Sequence, residues 1–241
     1  MLNFYKKAIT VLVGLLAVSV LLLFGALKHT FISQSLLPRG DSELPWRASP
    51  EDDTSQGGAS EAIVLDDTYG LEYDLFIAPK AQYPAASVGL VFTDAKGEPR
   101  LVDLSRYSEL TFTVKCSPAN ELALMVFTVD ERVTKLDDFL TYRSPLSFFS
   151  CGEQWQQQRI DLTRLETPQW WLTNFDFKLS MSEYSLQQVP KILFASTTQS
   201  PQNQLLHVRF NQLELAGKEW GYVYCVAGFL LTQRPVMPGR P

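Results

Sequence analysis

The chain has 241 residues, 46% of them hydrophobic and 12% aromatic, and a formal net charge of −5. That acidic balance leaves no electrostatic footprint for nucleic acid. Two histidines and three cysteines in no metal-ligand spacing, with no nucleophile elbow, HExxH or phosphate loop, give no motif for metal or covalent catalysis. The expectation is a protein that is not an enzyme.

Residues 8–27, AITVLVGLLAVSVLLLFGAL, contain no charge. Twenty residues at a helical rise span ~30 Å, the thickness of a bilayer core. Thr10 and Ser19 can bond back to their own helix backbone. Lys6 and Lys7 precede the run, so the positive-inside rule leaves residues 1–7 in the cytoplasm. The rest is then expected in the periplasm, with the anchor in a bacterial inner membrane and lipid as its partner. A cleaved signal peptide would need a shorter apolar region and a small-residue cleavage site, so the length favours a retained anchor.

Residues 28–60 read as a tether. PRG at 38–40, LP at 44–45 and EDDTSQGG at 51–58 are turn and linker chemistry. Trp46 is the one large apolar residue in its middle and can dock on the domain or on the membrane interface. From residue 61 the pattern changes to short strands: 62–65, 71–77, 87–92, 110–116, 122–129, 139–142, 154–161, 191–195 and 205–215. Leu110, Phe112, Val114 and Cys116 alternate strictly, and 122–129 is nearly continuous, as for a strand buried on both faces. Residues 164–171 and 184–189 suggest single helical turns. Many short strands without a sustained helical period argue an all-β sandwich.

Four passages carry a resemblance. YPAASVGLVF at 83–92 is a turn into an apolar strand. VDLSRYSELTFTV at 102–114, WQQQRIDL at 155–162 and VRFNQLELAG at 208–217 follow it in order. Together they resemble the galactose-binding-like jelly roll of carbohydrate-binding modules and of complex I intermediate-associated proteins. The resemblance covers residues 61–217 and implies a jelly-roll β-sandwich that binds ligand without transforming it. The family often has Asp in its last strand where this chain has Phe210 and Asn211, so a structural calcium loses that ligand, and no cofactor or metal is expected.

Trp170 and Trp171 are the first candidates for sugar stacking, with one ring expected inward and the other outward. Asp138, Tyr142 and Arg143 are the second, since carboxylates and Arg form bidentate bonds to hydroxyls. The bland alternatives are rings that plug the sandwich end and a solvated loop. Trp155 is expected to fill the core. Asp66 with Asp67 and Asp130 with Glu131 are paired carboxylates that nothing marks as catalytic. His207 reads as a satisfied sheet histidine. Cys116 and Cys151 are either a disulfide in an oxidising compartment or two buried thiols, and Cys225 is expected unpaired.

Residues 220–231 form an apolar run too short to span, in a tail (218–241) expected to contact the membrane. Two functions follow. One is an extracytoplasmic ligand-binding or sensing domain, with carbohydrate as the ligand and a signal passed to a partner. The other is an assembly factor that holds another membrane or periplasmic protein.

Overall fold

A computed structural model describes residues 2–28, 30–175, 184–219 and 224. The chain divides into two units, residues 1–32 with 217–241, and Ser33–Ala216. In the first unit, helix α1 (Leu2–Lys28) contains a segment, Phe4–Lys28, long and apolar enough to cross a membrane. Thr10 Oγ1 donates to the Lys6 carbonyl at 2.9 Å, one turn back in the same helix. Thr30 Oγ1 donates to the Ala26 carbonyl at 2.9 Å, and Glu219 N donates to the Thr30 carbonyl at 2.7 Å. His29, Cys225 and all of the C-terminal run except Tyr224 lie outside the described residues.

The second unit is a two-sheet antiparallel sandwich of jelly-roll type. The strands are β1 (Phe31–Ser35), β2 (Trp46–Asp52), β3 (Glu61–Asp66), β4 (Leu71–Phe76), β5 (Ala86–Phe92), β6 (Glu109–Ser117), β7 (Asn120–Phe127), β8 (Leu146–Cys151), β9 (Gln156–Asp161), β10 (Lys191–Ser196) and β11 (Leu205–Lys218). One sheet runs β3-β4-β11-β6-β9, with β1 also paired to β11; the other runs β2-β5-β10-β7-β8. A short helix, α2 (Gln169–Asn174), starts directly after Pro168, which fits a proline's restricted φ ahead of a first turn.

Period-two alternation builds the core. Leu71, Tyr73 and Leu75 of β4 face Val88, Leu90 and Phe92 of β5 across the interior, all fully buried. Phe112, Phe149, Phe194 and Phe210 join the sheets, with ring centroids 4.4 Å apart for Phe194–Phe210 and 5.0 Å for Phe112–Phe149. The bridge Cys116–Cys151 ties β6 to β8, and thus one sheet to the other. Tyr73 places its hydroxyl in this interior without a partner, and burial raises its pKa.

Residues 28–60 are not a tether, which corrects the expectation. β2 pairs with β5 over seven positions, from Trp46↔Phe92 to Asp52↔Ala86. Trp46 is buried and its Nε1 donates to the Leu36 carbonyl at 2.9 Å. Pro50 is tolerated because β2 is an edge strand with one unpaired side. Residues 139–142 are likewise not a strand: Phe139–Thr141 is a 3₁₀ turn whose Leu140 N–H donates to Asp138 Oδ1 at 3.1 Å.

Asp53, inside the expected tether, is a buried hub. Its carboxylate accepts from Ser60 N (2.9 Å), Ser60 Oγ (2.8 Å) and Ala85 N (3.1 Å). Burial alone would raise its pKa, but these bonds outweigh it and hold the carboxyl below the usual range. A Cβ on Gly58 would sit 2.0 Å from Asp53 Oδ1, so this turn needs glycine.

Two predictions follow from the packing. Asp53→Asn should lower unfolding free energy by about 2 kcal/mol, because a donor replaces an acceptor opposite buried N–H groups. The carboxylate contributes fully above its unfolded value near ~4 and its contribution is lost as pH falls through the lower folded value. The stability gap between wild type and variant, read by denaturant titration of the full chain in detergent, should therefore close below that pH. Tyr73→Phe should leave stability unchanged or raise it by up to ~1 kcal/mol, since it removes a hydroxyl with no partner; a clear loss in the same assay would show that the hydroxyl is satisfied in solution.

Candidate functional site

The residues singled out from sequence gather at one end of the sandwich, and most are committed to it. Trp171 is fully buried, and its Nε1 donates to the Thr141 carbonyl at 3.3 Å. The Arg143 guanidinium lies 5.4 Å from the Trp171 ring centroid and 6.0 Å from that of Tyr184, and its Nε donates to Thr167 Oγ1 at 3.0 Å. Burial pushes the Arg143 pKa down, with Asp130 opposing. Tyr142 is buried, and its hydroxyl donates to the Leu136 carbonyl at 3.1 Å. Asp138 caps the 3₁₀ turn. Trp170 alone keeps a free face, at 43% exposure.

Trp171 and Arg143, expected as ligand contacts, instead form a packed knot, and Tyr142 is buried against Phe127. One ring does point in and the other out, but on a helix, where neighbours diverge by ~100°. A cavity of about 920 Å³ opens beside the knot, lined by Tyr107, Arg143, Glu166, Leu172 and Tyr184 among others. Its Tyr184 hydroxyl is already spent, donating to the Leu162 carbonyl at 2.5 Å and accepting from Leu165 N at 2.9 Å.

The outer face of the six-stranded sheet is different in kind. Register places Asp74, His207 and Ser117 in one row across β4, β11 and β6, and Glu72, Arg209 and Lys115 in the next. Asp74 Oδ1 lies 2.6 Å from His207 Nδ1. Arg209 Nε donates to His207 Nε2 at 2.8 Å, and Arg209 Nη2 donates to Glu72 Oε1 at 2.9 Å. Glu72 Oε1 also lies 3.0 Å from His207 Nε2, so the ring is held from both sides. The two carboxylates meet opposite sides of the imidazole and do not converge on a point. Among the described residues, no group of three or more His, Cys, Asp or Glu side chains could hold a metal ion.

Two shallow clefts flank Arg209, which lines both. One, of about 310 Å³, is lined by Trp155, Tyr69, Glu72 and Asn211. The other, of about 420 Å³, is lined by Lys115, Ser117, Glu153, Gln154 and His207. Trp155 is 49% exposed and Tyr69 is 82% exposed. Trp155 does not fill the core as expected; it precedes β9, an edge strand, and turns outward. Tyr69 is presented by a turn that Asp66 holds, with Oδ1 accepting from Thr68 N at 2.9 Å. Those backbone bonds, Thr68 first, keep the Asp66 carboxyl below its usual range. Gly70 keeps the turn close to β11, where an added Cβ would lie 3.0 Å from the Phe210 carbonyl oxygen.

The other paired carboxylates are engaged as well. Asp130 forms a two-point pair with Arg132, at 2.7 and 2.5 Å, and Asp67 pairs with Arg39.

No family model matches the chain, and no curated protein matches it. Solved structures similar to it include the family 11 carbohydrate-binding module of Clostridium thermocellum, in complex with a β-1,3-1,4-mixed-linked tetrasaccharide, at 14% identity over 76% of this chain and 94% of that one (TM-score 0.47). The family 30 module of a cellulosomal cellulase of Clostridium thermocellum is 13% identical over 77% and 91% (TM-score 0.42). A family 29 module variant complexed with cellohexaose is 11% identical over 78% and 92% (TM-score 0.39).

Burial separates the two tryptophans. Trp171→Ala should cost about 3–5 kcal/mol by emptying a packed site, whereas Trp155→Ala should stay within about 1 kcal/mol of wild type. Denaturant unfolding of both full-length variants checks this, and equal losses would place Trp155 in the core.

Proposed function

We propose that this chain is a non-catalytic carbohydrate-binding protein, anchored in a bacterial inner membrane by α1 with its sandwich in the periplasm. One observation carries the binding assignment: the half-exposed Trp155 and the exposed Tyr69 line the same cleft as Arg209 and Glu72. An exposed ring offers a flat apolar surface to the C–H face of a pyranose. Guanidinium and carboxylate groups beside it can exchange hydrogen bonds with ring hydroxyls. The carboxylates on this face are already held by neighbours, which suits recognition more than acid–base chemistry. Lys6 and Lys7 before the apolar helix, and the inter-sheet disulfide, support the periplasmic placement. Occupancy would be passed on through a partner protein.

A second reading, a scaffold that holds another protein, draws on exposed Leu136, Phe139 and Leu140 within one loop.

Calorimetry of the full chain in lipid nanodiscs against a panel of oligosaccharides tests the first reading. At least one glycan should bind, and Trp155→Ala should weaken it by about tenfold or more, a loss of ~1.4 kcal/mol. A panel without binding, or a Trp155→Ala variant that binds like wild type, overturns the reading, and turnover of a glycan overturns its non-catalytic part. For placement, a reporter fused behind Gly217 should be active only when it is exported; activity confined to the cytosol would reverse the topology.

A further inference from the structure

We propose that the cleft on the Lys115 side of Arg209 takes the anionic group of an acidic sugar, so that the glycan recognised carries uronate or sulfate. The proposal rests on the carbohydrate-binding reading of the same face. Lys115 and Arg209 are register partners on adjacent strands, both on the outer face. Like charges directly opposite each other in a sheet are destabilising. Glu72 relieves the repulsion on one side only, through Arg209 Nη2, and Asp74 is spent on His207. Among the described residues, Lys115 forms no ion pair, and the partners of Arg209 are met through Nε and Nη2, not Nη1. The unrelieved cation pair faces a cleft lined by two cations, a histidine and one carboxylate, Glu153. That local excess of positive charge stands on a chain whose net charge is −5.

An oxyanion seated between Lys115 Nζ and Arg209 Nη1 would satisfy both donors and remove the repulsion between them. The sugar ring carrying it would sit over the Lys115 cleft. Its neighbour along the glycan would then pass Arg209 towards Trp155 and Tyr69. Along β11, His207, Arg209 and Asn211 recur every ~6.8 Å, two residues of strand rise, so the face is long enough for more than one sugar. Glu153 opposes the anion and limits its affinity. Charged-group recognition here depends on salt, because both cations are near the surface.

The test compares acidic oligosaccharides with their uncharged counterparts on the full chain in nanodiscs: oligogalacturonate and oligomannuronate against their methyl esters, and a sulfated galactan oligosaccharide against its desulfated form. At least one acidic form should bind tenfold or more tightly than its neutral partner, and the ratio should fall between 50 and 500 mM salt. Lys115→Met should abolish the ratio by weakening the acidic form about tenfold or more, Lys115→Arg should retain it, and Glu153→Gln should widen it. Preference for the sulfated form supports the anion site and assigns the anion to sulfate. Equal binding of charged and neutral forms that Trp155→Ala still weakens overturns this inference and leaves the carbohydrate reading standing. A preference that survives Lys115→Met also overturns it. Absence of binding by every form, charged and neutral, overturns both.

Discussion

The cluster of Phe112, Phe149, Phe194 and Phe210 between the sheets is the contact on which the rest of the sandwich depends. Each ring comes from a different strand, two from each sheet, and each fixes the parity of the strand that carries it. Once Phe210 points inward, Arg209 and Asn211 must point outward. Once Phe112 points inward, Lys115 is placed on the opposite side by the same period. The disulfide between Cys116 and Cys151 pins that parity covalently. In the chain-entropy account, a bridge across 35 residues contributes ~4 kcal/mol. The outer face with its rows of charge is thus a consequence of how the interior is filled.

Much of this parity was legible in the sequence. The alternation at 71–77 and 110–116 and the continuous run at 122–129 each correspond to a strand with the expected buried side. What parity could not reveal was its interruption. β11 buries Leu206, Val208 and Phe210, then Leu213 and Leu215, so the buried set changes from even to odd numbers. A bulge between Asn211 and Glu214, with Gln212 at φ 56°, makes the change. Edge strands were also hard to read. β2 contains Pro50 and β8 follows Pro145, and proline signals that mark turns elsewhere are compatible with a sheet edge.

Burial within the sequence-derived site was hard to read for a related reason. Trp170, Trp171, Asp138, Tyr142 and Arg143 were chosen by residue type, and residue type does not encode exposure. Trp171 and Arg143 are the groups whose size and charge let them close the sandwich end, with the guanidinium against the ring. Trp155 has the same chemistry but precedes an edge strand, so one side of its ring has nothing to pack on. The charge network was invisible for a different reason. Asp74 and His207 are 133 residues apart, and only register between β4 and β11 makes them neighbours. The one local hint was the i, i+2 spacing of His207 and Arg209 in a predicted strand, which puts both on one face.

The network also explains why Arg209 suits the centre of the proposed binding face. A free arginine side chain loses up to about 2 kcal/mol of rotamer entropy when a ligand immobilises it. Here Nε is held by His207 and Nη2 by Glu72, and His207 is in turn oriented by Asp74. The guanidinium is therefore held in place by the protein itself, with Nη1 not engaged among the described residues, and Arg209 lines both clefts. Binding through that atom gains the strength of a charge-assisted bond without the full ordering cost. Asp74 need not touch a ligand to matter: it fixes the imidazole, the imidazole fixes the guanidinium, and the guanidinium divides the face into an aromatic cleft and a cationic one.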